Sequence, residues 1–246
     1  MKNKLFSLFL YIKRAEVCNY IIYVLTIKHI MSCFSSSVLQ LHTPLTMGIY
    51  GGTGSGKTVF VQKLLSSDSF DKKPQKIVYC YTEWQPLFEE MEKEGIEFYE
   101  GLPTKDEVNG WSAEREHMVL VLDDMIHLIV NNTDVLHYFT VTSHHRNMSI
   151  IILSQNIFSQ GKTARTISLN MHYIVLFKNI RDTSQVMTLA RQIFPSKTKY
   201  FMDAYQKSTD QKYGYLLIDI SPHTDKTFQL RTCILKDETC IVYIPK

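Results

Sequence analysis

Gly51-Gly52-Thr53-Gly54-Ser55-Gly56-Lys57-Thr58 fits the pattern G-x-x-x-x-G-K-[ST] at every fixed position, and the fold follows from what this loop requires on either side. Glycines let the backbone curl until consecutive N–H groups point inward, and a helix starting at the loop aims its positive end at the same place. That is a cradle for the phosphates of a nucleoside triphosphate. Gly51, Gly52, Thr53, Gly54, Ser55 and Gly56 are the candidate phosphate-binding residues, with Lys57 reaching the β- and γ-phosphates and Thr58 placed to hold Mg²⁺. The apolar run Thr46-Met47-Gly48-Ile49-Tyr50 precedes the loop as a strand should. After it, Val59, Val61, Leu64 and Leu65 read as one buried face of a helix.

Further along, Lys76 to Tyr81 reads as a strand, Gln85 to Lys93 as a helix with Leu87, Phe88 and Met91 on one side, and Ile96 to Tyr99 as a short strand closed by Gly101-Leu102-Pro103. Met118-Val119-Leu120-Val121-Leu122 then runs into Asp123-Asp124. An apolar run without alternation describes a parallel strand buried on both faces, and ligands of open α/β sheets bind at the carboxyl ends of such strands. Asp123 is thus the candidate Mg²⁺ ligand, and Asp124 is placed to orient an attacking water, a role that many ATPases give to the longer Glu. A helix is expected from about Thr133 to Thr142. The next apolar run, Ser149 to Ser154, ends in Gln155, whose amide at the end of a neighbouring strand could sense the γ-phosphate.

His172 to Phe177 reads as a strand, and Thr183 to Gln192 as a helix stopped by Pro195. No element is assigned from there to Tyr213. Tyr213 to Asp219, Phe228 to Leu235 and Thr239 to Ile244 read as closing strands, the last two joined as a hairpin through Lys236-Asp237-Glu238.

The 246 residues suffice for one sizeable domain, placed at 40–246, and a hydrophobic fraction of 45% excludes wholesale disorder. A net charge of +3 neither demands nor excludes nucleic acid. The odd number of cysteines, five, shows no C-x-x-C spacing and reads as reduced intracellular thiols. Residues 1–30 differ from the rest: two apolar runs, interrupted by Lys13-Arg14-Ala15-Glu16, are each too short to span a bilayer and lack a small-residue cleavage site. They are treated as a peripheral extension, and a membrane is not expected as a partner.

The order of phosphate loop, strand with Asp-Asp, and strand ending in Gln resembles the additional-strand class of P-loop ATPases. Within it, the stretch from His144 through Arg146 to Gln155 and Asn156 resembles the HerA/FtsK superfamily. Tyr81-Thr82-Glu83-Trp84-Gln85, Gly101-Leu102-Pro103, Arg165 to Asn170, Phe177 to Asp182 and Tyr213 to Asp219 are similar to stretches of viral genome-packaging ATPases of the poxvirus, Polinton and adintovirus-like kinds.

That resemblance implies an α/β, RecA-like fold whose central sheet is mostly parallel and flanked by helices, with antiparallel strands at the C-terminal end. It implies a homo-oligomeric ring, a hexamer, that drives double-stranded DNA into a preformed capsid using ATP and Mg²⁺. Capsid or portal-vertex proteins would be its partners, in the nucleus or cytoplasm of an infected or host cell or with the virion. Lys57, Thr58, Asp123 and Gln155 match the superfamily's site residues. Arg146 matches the arginine supplied by a neighbouring subunit but sits about two residues nearer to Gln155 than in cellular members, with Arg165 and Arg181 as substitutes. Two other readings stay open: a cellular or plasmid translocase of the same superfamily, and a capsid-associated scaffold that binds ATP and barely hydrolyses it.

Overall fold

The computed structural model describes residues 15–17, 20–24 and 39–245, except 114–115, 131, 140–142, 144–145, 160–161 and 237. Strand β1 (Ala15–Val17) and β2 (Tyr20–Val24) come first, then β3 (Thr46–Tyr50), α1 (Lys57–Leu65), β4 (Lys76–Tyr81), α2 (Leu87–Lys93), β5 (Glu97–Glu100), α3 (Lys105–Ser112) and β6 (Met118–Asp123). There follow α4 (Ile126–Ile129), α5 (Thr133–His137), β7 (Met148–Ser154), α6 (Lys162–Leu169), β8 (Tyr173–Phe177), α7 (Thr183–Ile193) and α8 (Thr198–Ser208). Strands β9 (Tyr215–Asp219), β10 (Leu230–Thr232) and β11 (Ile241–Ile244) close the chain.

The strands form one sheet in the order β1-β2-β11-β10-β9-β8-β3-β7-β6-β4-β5. From β5 to β8 all pairs are parallel, and from β8 outward through β9, β10, β11 and β2 all are antiparallel. One strand, β7, lies between the loop-bearing β3 and the acid-bearing β6, which is the arrangement of the additional-strand class. Strands β3, β6, β7 and β8 are buried along their whole length, as their apolar runs require, while β4 is partly buried and the edge strand β5 is not.

Alternate residues of these strands feed two cores. Met47, Ile49, Val119, Val121, Ile151 and Leu153 pack under α1 and α2, while Leu120, Leu122, Ile150, Ile152, Ile174 and Leu176 pack on the other face, under α7 and α8.

Two expectations are corrected. Val59 is not in the core: it is 44% exposed, and Phe60 takes the buried place beside Val61, Leu64 and Leu65. At 100° per residue Val59 lies roughly 170° around the helix from the middle of that face, so it does not belong with the three residues correctly expected there, Val61, Leu64 and Leu65. Phe60 packs edge-on to Phe177 and Tyr215, with ring centroids 5.8 and 4.7 Å away. The second correction concerns helices where none was assigned, α3, α4, α6 and α8, of which α8 is the longest. Tyr200, Phe201, Ala204, Tyr205 and Ser208 are its buried residues, at spacings of one, three, one and three. Of the helix expected to reach Thr142, α5 supplies the first part, and 140–142 lie outside the described residues, as do His144 and His145. Among the described residues no helix is long and apolar enough to cross a membrane.

Candidate nucleotide site

Strand register builds the site. Tyr50 pairs with Ser154, and Asp123 with Leu153, so β3, β7 and β6 end nearly level. The next residues, Gly51, Gln155 and Asp124, therefore emerge together at the carboxyl edge of the sheet. Gly51 N–H donates to the Ser154 carbonyl at 3.2 Å, and Asp124 N–H to the Leu153 carbonyl at 3.1 Å, which ties the three exits to one another.

The loop between β3 and α1 needs its glycines at particular points. Gly54 and Gly56 have φ of +73° and +102°, in the left-handed region that side chains disfavour. A Cβ on Gly51 would come within 2.6 Å of Phe177 Cβ and 2.7 Å of Ser55 Oγ. Ser55 Oγ is buried with no hydrogen-bond partner, an orphaned polar atom inside the loop. Such an atom costs stability unless a ligand satisfies it, and a phosphate oxygen would do so. Lys57 Nζ meanwhile donates to the carbonyls of Gly51 and Gly52, at 2.8 and 3.2 Å. Burial lowers its pKa, opposed by the charges of Asp123 and Asp124.

Asp123 is buried at the end of β6 and accepts a hydrogen bond from the Tyr79 hydroxyl at 2.7 Å. Thr58 lies near the same phenol, so one tyrosine stands beside both candidate Mg²⁺ ligands. Tyr79 was legible only as a strand residue of β4. The signal that could have found it is a polar aromatic in a strand next to the acid-bearing one, facing the same side. Among the described residues no three His, Cys, Asp or Glu cluster as a metal cage. The donors present, a hydroxyl and a carboxylate beside a phosphate cradle, are hard oxygens that suit Mg²⁺ shared with a nucleotide and with water.

Burial raises the Asp123 pKa, with the Tyr79 hydrogen bond and Lys57 pulling it back down. A carboxyl with a raised folded-state pKa binds protons more readily folded than unfolded. Its burial costs nothing below the ordinary carboxylate range of about 3.9, and the cost sets in as pH rises through that range and is complete above the raised value. Without nucleotide, Asp123→Asn should therefore have a higher Tm than the parental protein at pH 8 and an equal one at about pH 3. At pH 8 the added stability conferred by Mg²⁺ and ATP should disappear. Thermal scans at the two pH values check both halves.

Asp124 is exposed and holds a left-handed φ of +52°, uncommon for a residue with a side chain. Gln155 Nε2 donates to its Oδ2 at 3.4 Å. The acid expected to orient water and the amide expected to sense the γ-phosphate are thus in contact.

Arg146 lies apart. It precedes β7 at the opposite, amino edge of the sheet, and its guanidinium donates to the Asn109 carbonyl at 3.4 Å. The length of β7, on the order of 20 Å, separates it from Gln155. Arg165 is exposed near the start of α6. Arg181 is exposed just beyond β8, in a loop fixed by Asn179, whose Oδ1 accepts from the N–H groups of Arg181 and Asp182 at 3.2 Å each. Because β8 runs parallel to β3, Arg181 stands at the same edge as the phosphate loop.

No family model matches the chain, and no curated protein sequence matches it. Solved structures do resemble it. The DNA-packaging ATPase B204 of Sulfolobus turreted icosahedral virus superposes over 84% of this chain and 100% of its own, with a TM-score of 0.52 at 10% identity. The genome-packaging NTPase B204 of Sulfolobus turreted icosahedral virus 2, in complex with ATP-gammaS, covers 82% of this chain and 98% of its own, with a TM-score of 0.51 at 12% identity. At such identities the similarity establishes a shared fold: a P-loop ATPase sheet, mostly parallel, with antiparallel strands at the C-terminal end.

Proposed function

We propose that this chain is a Mg²⁺-dependent ATPase that moves double-stranded DNA, and that its task is to package a viral genome into a preformed capsid. The observation that carries the reading is the convergence of Lys57, Thr58, Asp123, Asp124 and Gln155 at the carboxyl edge of three adjacent strands, β3, β7 and β6. The fold shared with two packaging NTPases, one of them bound to ATP-gammaS, supports it.

The reaction is transfer of the γ-phosphoryl group to water. The loop N–H groups and Ser55 hold the phosphates, and Lys57 exchanges its two carbonyl partners for phosphate oxygens and balances the charge that develops there. Thr58 and Asp123 would hold Mg²⁺, which supplies further charge neutralisation across the phosphates. Asp124 orients the attacking water, and Gln155, in contact with it, relays the presence of the γ-phosphate to the loop after β7. The assembly is a homo-oligomeric ring, a hexamer, in which a neighbour's arginine completes each site. Arg146, distant from this chain's own site, would serve a neighbouring subunit's, with Arg165 and Arg181 as the alternatives. Capsid or portal-vertex proteins dock the ring.

Steady-state phosphate release with and without double-stranded DNA tests this. Mg²⁺-dependent hydrolysis that rises several-fold with DNA is expected. Tight nucleotide binding with no turnover and no response to DNA would instead identify a scaffold.

A further inference from the structure

Beside the phosphate loop lies a cleft of about 700 Å³ that the catalytic residues leave largely unused. One wall is the loop and the first turn of α1. The other is the 207–215 segment, which leads from α8 into β9, backed by residues of β10 and β11. Among the described residues Lys57, Lys63, Lys207 and Lys212 line it, Lys207 being paired with Asp203, against one carboxylate, Glu238, which is engaged by the Tyr215 hydroxyl and the Leu235 N–H. The cleft suits an anion attached to something apolar.

Two exposed hydrophobic side chains line this space. Val59 is 44% exposed on the outer side of α1, and Tyr213 is 57% exposed on the opposite wall. Tyr213 stands close to the phosphate loop, since a Cβ on Gly56 would come within 3.1 Å of its ring. Its φ of +62° is costly for an aromatic residue, and its surroundings impose it. Gly214 N–H donates to the Gln211 carbonyl at 3.0 Å, and a Cβ on Gly214 would meet the Ser208 carbonyl oxygen at 2.3 Å, so the turn is pressed against the end of α8. Lys212 Nζ sits 4.8 Å from the centre of the Tyr213 ring. A strained, rigidly held and half-exposed aromatic ring calls for a flat partner.

We infer that Val59 and Tyr213 are the two walls that hold the nucleoside base of the bound triphosphate, with Lys212 beside it. This rests on the nucleotide reading above. Phosphates seated over the amino end of α1 send the ribose and base outward past its first turn, which is where Val59 stands. An exposed valine on the outward side of α1 supplies an apolar surface for one side of a base slot. The grip is by stacking and apolar contact, so it adds affinity and leaves the chemistry alone.

The test compares two ligands, ATP and inorganic tripolyphosphate, by calorimetry on the full chain with Mg²⁺. Tyr213→Ala, and Tyr213→Asn, which tolerates the same left-handed backbone, should weaken ATP binding about ten-fold or more while leaving tripolyphosphate unchanged. Tyr213→Phe should bind both as the parental protein does. ATP affinity unaffected by loss of the ring would overturn the proposal, as would equal weakening of both ligands, which would show Tyr213 acting through Gly56 on the phosphate loop. A parental protein that binds tripolyphosphate no more weakly than ATP would also overturn it and spare the phosphate site. One that binds neither removes the nucleotide reading itself, and the base slot with it.

Discussion

Lys57→Ala should lower ATP hydrolysis by about 10³-fold, the scale of losing one preorganised charge from a phosphoryl-transfer site. In the structure its ammonium is held by the Gly51 and Gly52 carbonyls, so the side chain is already folded back over the loop it serves. Lys57 is only partly buried and its two bonds go to carbonyls of its own loop, so the Tm without nucleotide should change little. Lys57→Arg should not rescue activity. A guanidinium is planar and broader than an ammonium, and the loop beneath has no slack: Gly51 is packed so closely on Phe177 and Ser55 that it cannot accept a Cβ. Phosphate release under saturating ATP, with a thermal scan of the same preparations, separates a lost charge from a lost fold. Parental turnover in Lys57→Ala would remove this loop from the reaction.

What was legible in the sequence was what depends on short-range pattern. The phosphate loop, the buried runs of β3, β4, β6 and β7, and the acids and amide at their ends can be read from a dozen consecutive residues at a time, because a parallel strand buried on both faces has few alternatives. Helix phase was less secure. Val59 and Phe60 are both apolar neighbours, and only the tertiary contact of Phe60 with Phe177 and Tyr215, far along the chain, decides which is buried. Helix α8 was missed because tyrosines carry much of its buried face. Their hydroxyls obscure the apolar period until one sees that the Tyr205 hydroxyl donates to the Phe177 carbonyl and accepts from the Asn179 N–H. Tyr79 as the partner of Asp123, and Tyr213 as the neighbour of Gly56, were invisible for a related reason. One lies in β4, three places from β3 on the far side of β6 and β7, and the other reaches Gly56 from more than 150 residues later. Sheet order creates those meetings, and no local spacing encodes it.

Sheet order also makes Asp124 the position where charge and shape can be separated most cleanly. Asp124→Asn should lower turnover by about 10²- to 10⁴-fold, the range expected when a group that positions and receives a proton is neutralised, while ATP binding stays within a few-fold of parental. The substitution is unusually conservative here. Asparagine accepts the left-handed backbone of φ +52° as readily as aspartate does, and its amide oxygen can still accept from Gln155 Nε2. What is lost is the negative charge and the ability to take up a proton from the attacking water. Asp124→Glu carries the charge one methylene further out and restores the residue that many ATPases use, but glutamate tolerates the left-handed turn less well, so partial activity and a lower Tm are expected together. Single-turnover hydrolysis alongside equilibrium binding of ATP resolves the two contributions. If Asp124→Asn turns over at the parental rate, the water is oriented elsewhere, and the contact between Asp124 and Gln155 serves only to fix the strand ends.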